Sequence, residues 1–130
     1  MSSRAETKES KGREVVHITS SDQLTGLISN NDFVVLDFYA GWCGPCLKIA
    51  PTYKTMSSLY DNILFCKVNT DDNADIAEEY SVDSMPTFVC ISKTTSKKKK
   101  TGFELNTEKF SSVAGLKKVG EWCLERQTKE

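Results

Sequence analysis

The chain has 130 residues, 38% of them hydrophobic and 27% charged, with a formal net charge of -1. That make-up describes one compact globular domain and excludes a disordered or fibrous chain. The near-zero charge removes electrostatic attraction to nucleic acid or to an anionic membrane as the main binding force. The longest apolar run, residues 33–39, contains Asp37 and falls far short of the roughly 20 residues needed to cross a bilayer.

Residues 1–13 are polar, mix Arg4, Lys8, Lys11 and Arg13 with Glu6 and Glu9, and lack periodicity, so they read as a disordered tail. They contain no apolar stretch of the kind a secretory signal requires. The domain is expected over residues 14–127. A first strand is predicted over 14–19 from Val15, Val16 and Ile18, and Ser20, Ser21 and Asp22 supply helix-start chemistry. Leu24, Leu27 and Ile28 then form one helical stripe that ends at the polar Asn30, Asn31 and Asp32.

Residues 33–39 are too continuously apolar for a half-exposed strand and are expected to be central, buried on both faces, with Asp37 as the anomaly. Ile49, Ala50, Tyr53, Met56 and Tyr60 recur at helical spacing in a helix that starts at Cys43 and Cys46, and Pro51 inside it is expected to kink it. Residues 63–69 read as a strand, 74–80 as a short helix and 87–91 as another strand. Residues 92–107, with Lys97, Lys98, Lys99 and Lys100, read as an exposed loop or extended hairpin, most lysine-rich near 93–107, before an edge strand near 108–113. Leu116, Val119, Trp122 and Cys123 mark a terminal amphipathic helix. Alternating strands and helices followed by an antiparallel pair predict an α/β fold, a central mixed β-sheet flanked by helices on both faces.

Five cysteines is an odd number, and only Cys43 and Cys46 lie close together, which does not resemble a secreted disulfide framework. A reducing, cytoplasmic setting is expected. Two cysteines three apart at a helix start share a side, with Cα atoms roughly 5 to 6 Å apart, the separation an unstrained disulfide needs. The helix N-terminus stabilises a thiolate there, which makes Cys43 the expected accessible nucleophile and Cys46, one turn inside, the resolving thiol. Asp37 is the candidate proton acceptor for Cys46, with Lys67 as its partner; a purely structural buried acid is the alternative. Zinc is disfavoured, because no second pair of ligands accompanies the cysteines and His17 is the only histidine. Cys66, Cys90 and Cys123 fall on apolar strand and helix positions and read as inert buried thiols.

The segment Phe38-Tyr39-Ala40-Gly41-Trp42-Cys43-Gly44-Pro45-Cys46, with Pro51, with Lys67-Val68-Asn69 followed by Asp71-Asp72, and with Met85-Pro86-Thr87-Phe88, resembles the thioredoxin family over about residues 14–126. The resemblance implies the thioredoxin fold and a general protein-disulfide reductase serving cell redox homeostasis. No bound cofactor is implied: the redox group is the Cys43–Cys46 disulfide, recharged with NADPH electrons through thioredoxin reductase. Disulfide-containing targets such as peroxiredoxins or ribonucleotide reductase are the implied partners of a mainly monomeric protein. It further implies that Trp42, Gly44, Pro45, Met85 and a cis Pro86 form the substrate surface, that Asp71 bonds the Trp42 indole, and that the groove glycine of relatives corresponds to Gly115 or is replaced by Ser112. A redox-silent binding module and a secretory oxidase or isomerase are the competing readings; the Gly44-Pro45 pair, without the central histidine of oxidising relatives, speaks against the latter.

Overall fold

The computed structural model describes residues 14–95 and 103–127. The elements run β1 (Val16–His17), α1 (Ser21–Asn30), β2 (Phe33–Tyr39), α2 (Gly44–Leu59), β3 (Leu64–Asn69), α3 (Ala74–Glu79), β4 (Thr87–Thr95), β5 (Phe103–Ser111) and α4 (Gly115–Gln127). One mixed five-stranded sheet results, in the order β1-β3-β2-β4-β5, with β1, β3 and β2 parallel and β4 and β5 antiparallel to their neighbours. The expected α/β architecture with helices on both faces is present.

The sheet's two faces carry separate cores because strand side chains alternate. Val34, Leu36, Phe38, Cys66, Val68, Val89 and Ile91 point to the face covered by α1 and α3, where Leu24, Ile28 and Ile76 meet them. Val35, Phe65, Phe88 and Cys90 point the other way, toward Ile49, Tyr53 and Met56 of α2 and Leu116, Val119, Trp122 and Cys123 of α4. β2 is therefore buried on both sides. Its long apolar run is the consequence, and Asp37 is carried into the interior with it.

Local chemistry sets several boundaries. Ser20 caps α1 by accepting from the Gln23 amide at 3.1 Å, while Gln23 Oε1 accepts from the Thr19 amide at 2.6 Å, a reciprocal arrangement that satisfies otherwise unpaired donors. Pro51 lies inside α2, which continues to Leu59 although Pro51 cannot donate to the preceding turn.

Two expectations need correction. β1 is two residues long, not six, since only Val16 and His17 pair with Cys66 and Lys67. Of the loop and the extended hairpin left open for 92–107, the described residues show the paired strands of the hairpin; what changes is the last strand's bounds, since β4 runs on to Thr95 and β5, expected near 108–113, begins at Phe103 and stops at Ser111. Polar side chains conceal this strand, because β5 has β4 on one edge only and its Glu104, Asn106 and Glu108 are solvated. The lysine run 97–100 and the tail 1–13 lie outside the described residues.

Candidate active site

At the carboxyl end of β2 the chain leaves the sheet at Ala40 and enters α2, and this junction holds the cysteines. Cys43 is the N-cap of α2. Its amide donates to Ala40 O at 3.1 Å, its carbonyl accepts from the Leu47 amide at 3.2 Å, and its Sγ accepts from the Cys46 amide at 3.2 Å. Pro45 sits in the first turn, where a missing amide hydrogen costs nothing. The sulfur of Cys43 thus lies against the Cys46 amide and the positive end of the helix dipole, the setting that favours a thiolate.

Cys43 and Cys46 are disulfide-bonded, with Cα atoms 5.3 Å apart. Both are buried, at 5% and 3% exposure, and pack with Ala40, Tyr39 and Met85. This corrects the expectation of an open Cys43: while the bond is closed, each sulfur shields the other and the neighbouring loops close around both. Gly44 and Pro45 are exposed beside them, and Trp42 is 70% exposed.

Three loops converge on the pair. The Met85–Pro86 peptide bond is cis, and Met85 O lies 3.8 Å from Cys43 Sγ. Thr87 Oγ1 donates to Ser84 O at 2.7 Å and helps fix that turn. After β5, Ser112 adopts a left-handed φ of 71° and donates its amide to Pro86 O at 2.8 Å. Ser112, not Gly115, therefore borders Pro86; a Cβ on Gly115 would stand 3.0 Å from the Phe110 backbone, so that glycine serves the close approach of α4 to β5. On the other side Trp42 Nε1 donates to Asp71 Oδ2 at 3.1 Å. Asn69 holds that loop, since its Oδ1 accepts from the Asp71 amide at 2.9 Å, a side-chain turn that sequence reasoning passed over although Asn before Asp-Asp is a recognisable signal.

Asp37 lies in β2, facing α2, at 1% exposure. Burial pushes its carboxyl up from 3.8 to about 7, a rise that the positive field of Lys67 partly offsets. Lys67 is its register partner on β3. The ammonium lies over the Tyr39 ring, 4.4 Å from its centroid, and Asp37 Oδ1 is buried with no hydrogen-bond partner. The expected partnership thus acts through space, not through a hydrogen bond to Oδ1. A carboxyl so placed can hold a proton near neutral pH, which an ordinary aspartate does not.

Cys66, Cys90 and Cys123 are buried thiols outside the Cys43–Cys46 disulfide. Burial raises the thiols of Cys90 and Cys123, the latter to about 12, with Arg126 opposing the shift at both. Among the described residues no group of three His, Cys, Asp or Glu is placed to hold a metal ion, and no helix is long and apolar enough to cross a membrane.

Comparison with known proteins agrees with this geometry. The family model "Thioredoxin" matches residues 14–114. The chain is 47% identical over 78 residues to a thioredoxin-like protein of Fusarium culmorum, a match covering 58% of this chain and 64% of that relative, just under two thirds of its length. It superposes on a Plasmodium falciparum thioredoxin with a TM-score of 0.67 at 33% identity, covering 82% of this chain and 97% of the other. A chain from a structure of the thiol-resolving mechanism in yeast mitochondrial 1-Cys peroxiredoxin via glutathione/thioredoxin systems aligns with a TM-score of 0.64 at 33% identity, covering 80% and 91%. With the family model spanning more than three quarters of its length, and a cysteine pair on the N-terminus of α2 opposite a cis proline, the chain belongs to the thioredoxin family.

Proposed function

We propose that this chain is a general protein-disulfide reductase that cycles Cys43 and Cys46, recharged by thioredoxin reductase with electrons from NADPH, and that it maintains thiol balance in a reducing cytoplasm. The observation that carries the reading is the disulfide-bonded pair at the N-terminus of α2, 5.3 Å between Cα atoms, facing the cis Met85–Pro86 bond. A docked target finds its surface in Trp42, Gly44 and Pro45 on one side and Met85 and Pro86 on the other, and its extended backbone can bond the main chain of Met85.

In the reduced protein the Cys43 thiolate attacks one sulfur of a target disulfide. A new S–S bond to Cys43 forms, the target's own S–S bond breaks, and its second sulfur departs as a thiolate that takes a proton. Cys46 then loses its proton to the carboxylate of Asp37 and attacks the Cys43 sulfur, which closes the Cys43–Cys46 bond and releases the target's remaining sulfur. Two electrons have moved from the pair to the target. Asp37 suits the transfer because a base with affinity near the working pH both accepts and returns a proton readily. Lys67, through its charge, limits how far that affinity rises.

The partners this chemistry needs are a thioredoxin reductase and disulfide-containing proteins. Peroxiredoxins and ribonucleotide reductase are the target classes the family resemblance suggests, and the similar chain studied with a yeast 1-Cys peroxiredoxin supports the first. The test is reduction of insulin by the full chain with NADPH and thioredoxin reductase. Turnover is expected, with Asp37→Asn slowing it about 100-fold, the lower end of general acid-base contributions. A chain that reductase and NADPH cannot reduce, or one whose Cys43→Ser form still turns over, overturns the reading.

A further inference from the structure

Tyr53 heads the fully buried side chains in size and is fully enclosed where α2 lies on the sheet. Its ring sits edge-on to Phe65 of β3, with centroids 5.2 Å apart, and tilted against Phe88 of β4 at 6.0 Å. Its hydroxyl donates to Cys66 O at 2.7 Å, with Val35 O a second acceptor at 3.2 Å. The register places these groups around one residue: Phe88 is the partner of Asp37 on β4, Lys67, which follows Cys66, is its partner on β3, and Val35 precedes it on the same face of β2. The hydroxyl is committed to the main chain, and Asp37 Oδ1 is left without a partner.

A cleft of about 390 Å³ enters this region from the β1 edge of the sheet. Glu14, His17, Ala50, Lys54 and Lys67 line it, all at least partly exposed, and Tyr53 is the one fully buried residue in its wall. Asp37 does not reach the cleft. We propose that Tyr53 is a positioning residue for proton transfer: its ring ends the solvent cleft one side chain short of Asp37 and so keeps the carboxyl dry. The proposal rests on Asp37 as the proton acceptor for Cys46.

The charged and titratable groups around Asp37 are Lys67 from β3 and Tyr53 from α2, with His17 of β1 in the same cross-strand row beyond Lys67 and with Glu14 and Lys54 at the cleft mouth; on β4 its partner is Phe88, and the thiol of Cys90 follows on the same face. None of them hydrogen-bonds Oδ1, so the exclusion of water governs that carboxyl. Removing the ring joins the cleft to Asp37. Water then favours the charged form, its proton affinity falls, and it becomes a weaker base toward Cys46.

The test compares Tyr53→Ala, Tyr53→Leu and Tyr53→Phe in the full chain, following the Asp37 carboxyl carbon by NMR across pH. Melting curves verify the fold, and Tyr53→Leu decides the matter should the alanine form not fold. Tyr53→Ala is expected to lower the Asp37 midpoint by at least about one pH unit, a tenfold fall in the protonated-to-ionised ratio. Tyr53→Leu shifts it less in the same direction, and Tyr53→Phe, which keeps the ring, leaves it within a few tenths. The acid limb of the insulin-reduction profile moves down with the midpoint. A folded alanine or leucine form whose Asp37 titrates as in the parent overturns the proposal, as does a full shift from loss of the hydroxyl alone. Asp37→Asn with an unchanged pH profile instead removes the proton-acceptor reading, and the NMR midpoint still decides whether the ring is the barrier.

Discussion

The five cysteines occupy two kinds of place. Cys43 and Cys46 lie where a strand ends and a helix begins, with the Cys46 amide directed at the Cys43 sulfur and exposed Trp42, Gly44 and Pro45 beside them. Cys66, Cys90 and Cys123 lie within β3, β4 and α4, packed among aliphatic and aromatic side chains. All five are buried as residues, so burial alone does not separate them. What differs is the electrostatic setting of the sulfur: a helix N-terminus favours the thiolate at Cys43, whereas an apolar core suppresses it at Cys90 and Cys123.

The largest test of that contrast exchanges the two sets. Cys43→Ser is expected to bring insulin reduction down to the uncatalysed background of the thiol reductant. The triple variant Cys66→Ala, Cys90→Ala, Cys123→Ala is expected to keep kcat/KM within about twofold, with a stability loss of about 1 kcal/mol per site from lost packing. Turnover assays and denaturant melts read the two effects separately. A triple variant that folds and loses turnover breaks the division.

Alkylation sharpens it one step further. A thiol raised to about 12 is ionised to only about one part in 10⁵ at pH 7, against a few parts in a hundred for an ordinary thiol. Iodoacetamide should therefore label Cys43 of the reduced protein within minutes, and label Cys123 at least about 10³-fold more slowly unless denaturant is present. Mass spectrometry of timed digests gives both rates. Equal labelling of Cys43 and Cys123 in the folded protein would show that the local field does not control reactivity.

Asp37 crosses the division, being an interior group with a proposed part in the chemistry at the mouth. Its affinity in the folded state lies about 3 pH units above the unfolded value of 3.8. The folded state therefore binds the proton more tightly: the contribution is fully favourable below pH 3.8, and stability is lost as pH rises from there through about 7. The loss amounts to about 4 kcal/mol once pH exceeds 7. Asp37→Asn should be free of that slope, so the difference between the two proteins' unfolding free energies grows between pH 4 and pH 8. Denaturant titrations at each pH measure it, and parallel curves would place the carboxyl in water.

The same division explains what could be read from the residues alone. The central strand, the stripe of Leu24, Leu27 and Ile28, and the cysteine spacing are local patterns, and each stands where the pattern places it. The start of β5 is not legible because its stability comes from its ladder to β4, and a chain segment as polar as Glu104 to Lys109 carries no apolar period to reveal it. Tyr53 was legible as a helix-face residue, but its hydroxyl bonds to Cys66 and Val35 lie across the sheet and have no sequence signature. Lys67 is legible as a residue of the neighbouring strand and a candidate partner of Asp37, while its register opposite Asp37 and its bend toward the Tyr39 ring depend on strand pairing and a cation-π contact that spacing does not show.

The two tryptophans carry the contrast to its smallest expected effect. Trp122 is enclosed between Phe33 and the guanidinium of Arg126, whereas Trp42 stands in solvent with one polar tether, from Nε1 to Asp71. An exposed hydrogen bond to a carboxylate contributes about 1 kcal/mol at most, because water replaces either partner. Asp71→Ala should thus change stability by less than that, and free the indole to leave the target surface. The expected kinetic result is a rise of about threefold in the KM for insulin with kcat unchanged, the signature of binding lost equally from ground and transition states. Acrylamide should quench Trp42 more readily in the variant and Trp122 no differently. A fall in kcat with KM intact would mean that Asp71 acts on the sulfur chemistry itself, and the boundary between the docking surface and the reacting pair would have to be drawn through Trp42.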